Sequence, residues 1–172
     1  EIMLQQTRVQ AGGAYSRKFL ERWPTVRDLA DAPQDDVLAA WAGLGSSARA
    51  RNLHAAAKVV AREMDGRFPA TAAALRELPG VGGYTSGAIA AIAYDERQAA
   101  MDANAERVIA RLYAVETRMP KAKVELHARC MALVPQRAGD FAQALMDLGS
   151  AICPPKRPAC PQCPWEAQCQ AR

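Results

Sequence analysis

The sequence predicts an all-α fold. Apolar residues recur at helical spacing almost throughout, no stretch alternates long enough to argue for a strand, and Gly and Pro punctuate the periodic stretches at short intervals. Half of the 172 residues are hydrophobic and 23% are charged, so the chain can bury a core as one large or two small domains.

Each helix has its own signal. "APQDDVLAAWAGLG" offers Pro33 near a helix start, Asp35 and Asp36 in the first turn, and Gly43 or Gly45 at the end. "SARARNLHAAAKVVAREMDG" sets Leu53, Ala56, Val60 and Met64 on one stripe, with charges opposite and Gly66 as the stop. "AERVIARLYAVE" places Val108, Ile109, Leu112 and Val115 on one face, and "FAQALMDLGSAI" does so with Phe141, Leu145 and Leu148. There is no repeat and no low-complexity linker. No apolar run reaches the roughly 18 residues that a membrane span needs. No signal peptide is visible in this stretch. A net charge of +4 suits a nucleic-acid partner but does not single one out.

Four of the five cysteines crowd the last 20 residues. Cys153, Cys160, Cys163 and Cys169 are spaced C-x6-C-x2-C-x5-C, while Cys130 stands alone and reads as a small core residue of a protein from a reducing compartment. Four thiolates suit zinc or an iron–sulfur cluster. Zinc usually takes paired CxxC knuckles. Here one CxxC is flanked by single cysteines in a short, proline-stiffened wrap, which favours a cubane-type cluster in a closed structural site. Lys156 and Arg157, between the first two cysteines, read equally as phosphate contacts or as a solvated loop.

"LPGVGGYTSGAIAAIAY" breaks one helix at Pro79–Gly80 and starts another of small residues after Gly82 and Gly83. Amides exposed at such a start face an anion, and the helix dipole favours it. That is a helix–hairpin–helix, which grips DNA phosphate without reading sequence, although a plain helix–helix turn has the same signature. "MDANAERVIARL" sets Asp102 before a helix whose dipole favours an anion, with Asn104 as a candidate N-cap. Glu1 precedes Ile2, Met3 and Leu4, and partial desolvation there would keep it protonated. One neutral acid and one carboxylate anion are the pair that glycosidic cleavage uses.

Taken together, "EIMLQQT", "GLG" with the following "ARARNLH", "LPGVGGYTSGAI", "MDANAERVIARL", "ALMDLGSAIC" and the cysteine spacing resemble the helix–hairpin–helix DNA glycosylases with a C-terminal iron–sulfur loop. Within them the chain most resembles adenine DNA glycosylases of the MutY type. The resemblance implies a two-lobed all-α fold: a six-helix barrel lobe over residues 8–98, and an iron–sulfur lobe over 99–172 joined by residues 1–7. It implies a monofunctional enzyme of base excision repair, a monomer on double-stranded DNA with a mismatched or oxidised base pair. It also implies a cytoplasmic, nucleoid-associated setting in a bacterium, with no membrane partner.

By the same resemblance Glu1 protonates adenine N7, and Asp102 stabilises the sugar cation or attacks it transiently. Tyr84 and Asn104 support that step. Gln5, Gln6, Thr7, Leu44, Ser46, Gly80, Val81 and Gly82 meet DNA, and Asp147 helps to hold the base. Cys153, Cys160, Cys163 and Cys169 hold a [4Fe–4S] cluster. Tyr84 stands where endonuclease III has a nucleophilic lysine, which argues against a lyase.

Two departures bear on the substrate. The family's "GLGYYARAR" has two tyrosines where this chain has Ser46 and Ser47, and its D-G-N reads D-A-N here through Ala103. Stacking a base on an aromatic is worth about 1–3 kcal/mol, so the serines should weaken recognition of an opposing 8-oxoguanine. D-A-N is the pattern of thymine/uracil mismatch glycosylases, which form the alternative reading. A non-catalytic iron–sulfur DNA-binding protein is a second alternative. The family's 8-oxoguanine-recognising C-terminal domain and the helix before the glutamate are not in this sequence, so a catalytic core is the expectation.

Overall fold

A computed structural model describes the backbone at residues 1–4 and 9–172 and the side chains of residues 1–3 and 12–172. Among the described residues there is no strand. The helices are α1 (Val9–Arg22), α2 (Val26–Asp31), α3 (Gln34–Trp41), α4 (Ser47–Glu63), α5 (Ala72–Leu75), α6 (Gly83–Tyr94), α7 (Ala103–Leu112), α8 (Lys123–Leu133) and α9 (Ala138–Asp147). A 3-10 turn covers Ile2–Leu4, a π turn covers Leu148–Ile152, and two more 3-10 turns cover Cys160–Gln162 and Glu166–Gln168. None of these helices is long and apolar enough to cross a membrane. The chain forms two compact units: Glu1–Pro69 with Ala73–Thr85, and Ala70–Ala72 with Ser86–Arg172. The division falls inside α6, earlier than residue 98, and Glu1 belongs to the first unit.

In the first unit the expected stops are in place. α3 begins after Pro33, and Gly43 and Gly45 beyond it have φ of 98° and 92°. Gly66, at φ 76°, ends the α4 segment, and its N–H reaches the Val60 carbonyl at 2.8 Å. A capping box starts α2: Thr25 Oγ accepts from the Asp28 amide at 3.1 Å, and the Thr25 amide donates to Asp28 at 2.9 Å. The core gathers Phe19, Val37, Trp41, Leu44 and Ala50, with Ile2 and Met3 packed against it. Burying apolar area at roughly 25 cal/mol per Å2 is what holds the first residues there. Ala30, Ala57 and Ala61 form a second, smaller cluster, whose short side chains let α2 and α4 approach closely.

His54 is buried on α4. Burial disfavours its imidazolium and pushes its pKa down, and Lys58 and Arg62 add to that; the Ala30 and Ala32 carbonyls pull the other way.

In the second unit α7 buries Ala105, Val108, Ile109 and Leu112, the predicted face. α8 buries Leu126 and Cys130, and burial pushes the Cys130 thiol up to about 11, which makes it inert. Where α9 starts, the Gly139 amide donates to Asp95 Oδ1 at 3.0 Å. One sequence expectation is corrected: the N-cap of α7 is Asp102, not Asn104. Its Oδ1 accepts from the Ala105 amide at 2.7 Å, because Asp102 holds the extended backbone a cap requires while Asn104 is already helical.

Candidate active site

In the first unit the fold brings Glu1 to Tyr84, 83 residues away. Tyr84 Oη donates to Glu1 Oε1 at 3.3 Å. The turn that carries Glu1 is pinned from α4, where Arg49 Nη1 donates to the Ile2 carbonyl at 3.3 Å. Arg49 also donates to the Leu44 carbonyl, and its guanidinium lies over the Trp41 ring at 5.3 Å.

The glycine hairpin joins α5 to α6. Gly80 takes a left-handed φ of 75°, and a Cβ there would fall 2.5 Å from Asn52 Cβ. Gly82 is exposed, with no atom within 4 Å of where its Cβ would stand. Val81 and Leu44 differ from the other residues expected at DNA. Both side chains are buried, and their amides reach the Leu78 and Trp41 carbonyls, so they shape the two turns from within. Ser46 is exposed ahead of α4 and makes no side-chain cap. Gln5, Gln6 and Thr7 lie outside the described residues.

In the second unit Asp102 and Asn104 meet. Asn104 Nδ2 donates to Asp102 Oδ2 at 3.1 Å, while Oδ1 caps α7. Both carboxylate oxygens are therefore engaged. Behind them stands Arg107, which sequence reasoning missed. Its Nη2 donates to Asn104 Oδ1 and to the Gly149 carbonyl, each at 2.7 Å, and its Nε donates to the Cys153 carbonyl at 2.9 Å. One turn on, Arg111 Nη1 donates to the Pro154 carbonyl at 2.8 Å and to Cys153 Sγ at 3.2 Å, and Nη2 reaches the Pro155 carbonyl at 2.9 Å. The only sequence signal for the pair is its i, i+4 spacing on one helix, directly after Asp102.

Cys153, Cys160, Cys163 and Cys169 are all unpaired thiols, half-buried, and all line one cavity of about 110 Å3, together with Arg111, Ile152 and Pro158. Among the described residues no three His, Cys, Asp or Glu side chains are grouped to hold a single ion. The four cysteines thus share one cavity. Asp147 is exposed and lines a second cavity of about 530 Å3 with Phe141, Leu148 and Trp165.

Residues 1–136 match the HhH-GPD superfamily of base excision DNA repair proteins. The chain belongs to that superfamily. Among similar HhH-GPD proteins is the human adenine DNA glycosylase, 44% identical over 176 residues; the match takes in 100% of this chain and 32% of the human protein. The chain thus spans about a third of that relative's length. A thermostable thymine-DNA glycosylase of known structure superposes with a TM-score of 0.89 at 31% identity, over 99% of this chain and 80% of that one. An endonuclease III in a non-covalent DNA complex gives 0.83 at 22% identity, over 99% and 79% of the two chains, a likeness that shows the HhH-GPD fold.

Proposed function

We propose that this HhH-GPD chain is the catalytic core of a monofunctional adenine DNA glycosylase that acts on adenine mispaired with 8-oxoguanine or guanine in double-stranded DNA. The observation that carries the reading is a pair of carboxyl groups, each already held by a neutral donor: Glu1 by Tyr84 and Asp102 by Asn104. Glu1 gives its proton to adenine N7. The bond from C1′ to N9 breaks with its electrons passing to the base, and the Asp102 anion stabilises the oxocarbenium left behind. Water adds to C1′ and loses a proton, leaving an abasic site. Tyr84 offers no amine for a Schiff base, so strand cleavage does not follow. The backbone at Gly80 and Gly82 receives a DNA phosphate, and Gln5, Gln6, Thr7 and Ser46 contact the duplex.

Four half-buried thiols that line one cavity suit a [4Fe–4S] cluster, and the single CxxC flanked by lone cysteines favours it over zinc, which usually takes paired knuckles. The cluster would be held by Cys153, Cys160, Cys163 and Cys169 and would tie their loop together. Iron and acid-labile sulfide in equal amounts after anaerobic purification supports this; zinc without iron rules it out.

A second reading, removal of thymine or uracil opposite guanine, is favoured by Ala103 and by the likeness to the thymine-DNA glycosylase. Base release is to be measured on A:8-oxoG, A:G, T:G and U:G duplexes with the parent, Glu1→Gln and Asp102→Asn. Adenine release that both variants abolish is the expected result. Release from T:G or U:G alone transfers the proposal to the second reading, and release from none leaves a DNA-binding protein.

A further inference from the structure

Gly149 lies in the π turn between α9 and Cys153 and is buried. Its φ is not in the left-handed region, so backbone conformation does not explain a glycine there. Space does. A Cβ on Gly149 would stand 2.7 Å from Asn104 Cβ and 3.2 Å from the Asn104 carbonyl carbon and oxygen. These atoms belong to the first turn of α7 and cannot swing aside as a side-chain tip would. Non-bonded carbons prefer roughly 3.5–4.0 Å, so a methyl group here must displace Asn104.

We infer that Gly149 is a positioning residue for Asp102 and acts through Asn104. The close approach sets the Asn104 amide beside the Gly149 carbonyl, where Arg107 Nη2 bonds both oxygens at 2.7 Å. A guanidinium only donates, so it fixes which end of the amide faces it. Oδ1 turns to Arg107, and Nδ2 is left to donate to Asp102 Oδ2 at 3.1 Å. The Ala105 amide holds the other oxygen at 2.7 Å. The Asp102 carboxylate thus gains a fixed orientation from a residue that never touches it. The consequence for catalysis rests on the base-excision reading above; the geometric claim does not.

The test is Gly149→Ala in the full chain, with two readouts. In the proton–nitrogen NMR spectrum the Asn104 side-chain amide, assigned by its loss in Asn104→Ala, should shift. At saturating DNA, single-turnover base release should fall about tenfold to a hundredfold, as a misplacement under 1 Å can cause, while affinity for intact duplex stays within about twofold. Gly149→Ala added to Asn104→Gly, which lacks the Cβ it strikes, should slow release no further than Asn104→Gly alone, because the two act in one chain of contacts. If Gly149→Ala alone does not fold, adding Asn104→Gly removes the Cβ it strikes and should restore folding. An unmoved Asn104 amide, an additive double variant, or a doubly substituted protein that still does not fold overturns the inference. A parent chain that releases no base refutes the base-excision reading, and the amide resonance still decides the positioning.

Discussion

Replacing Arg107 with methionine keeps most of the apolar stem and deletes a guanidinium that makes three hydrogen bonds of 2.7–2.9 Å, to Cys153, Asn104 and Gly149. Hydrogen bonds from charged donors contribute about 1.5–3 kcal/mol each when dry, but Arg107 is half-buried and water can reach part of the site, so about 1 kcal/mol apiece is the fair figure. The total is about 3 kcal/mol, a large part of a domain's stability. For a chain of this size each kcal/mol moves the melting temperature by about 2–4 °C, so Arg107→Met should melt about 6–12 °C below the parent. Circular dichroism at 222 nm, a wavelength that reports about the helix content, follows the transition. Arg107→Lys should recover only part of the loss, since an ammonium cannot span three acceptors set for a planar fork. A drop of less than about 2 °C in Arg107→Met would refute the claim that this side chain ties Asn104 to the cysteine loop.

Two further outcomes are expected. His54 has a depressed folded-state pKa, so folding favours its neutral ring: its contribution is fully present above the ordinary value of 6.5 and is lost as pH falls below it. Melting temperature plotted against pH should therefore fall less steeply in His54→Leu than in the parent between about pH 7 and 5, and parallel curves would exclude this origin. Gly80→Ala forces a left-handed alanine and a methyl 2.5 Å from Asn52 Cβ. It should cost at least about 1 kcal/mol in urea unfolding and weaken duplex binding, and an unchanged unfolding midpoint would contradict the hairpin geometry.

Much of this was legible because the signals are local. α3, α4, α7 and α9 follow apolar periodicity and stop near the glycines or turns that the sequence offers. The crowded cysteines, the glycine hairpin and the acid before α7 are likewise runs of neighbours. The misplaced cap at Asn104 shows the limit of that reasoning, since Asp, Ala and Asn in a row allow more than one cap and backbone conformation chooses. What could not be read were relations over distance. Tyr84 reaches Glu1 across 83 residues, and Arg107 reaches Cys153 across 46. An arginine on a helix looks like a solvated face until a carbonyl 46 positions on is folded beneath it. Gly149 gives no signal at all: in a run of small and apolar residues it looks like any other, and only the distance to Asn104 explains it. The buried side chain of Leu44 belongs to the same class, because a leucine between two glycines reads as exposed until the Phe19–Trp41 core closes over it.

The cysteine segment is fastened to α7 at both ends. Arg107 and Arg111 hold the Cys153–Pro155 carbonyls, and the Gln170 and Ala171 amides donate to Leu112 and Arg111 at 3.0 and 3.1 Å. Near its start, the Ala159 amide closes on the Ile152 carbonyl at 2.8 Å. The segment is therefore a buckle whose two straps are sewn to one bar. Lys156 and Arg157 are exposed between the straps, and the ends left by a protease that cut there would stay attached to the helix that Asp102 caps.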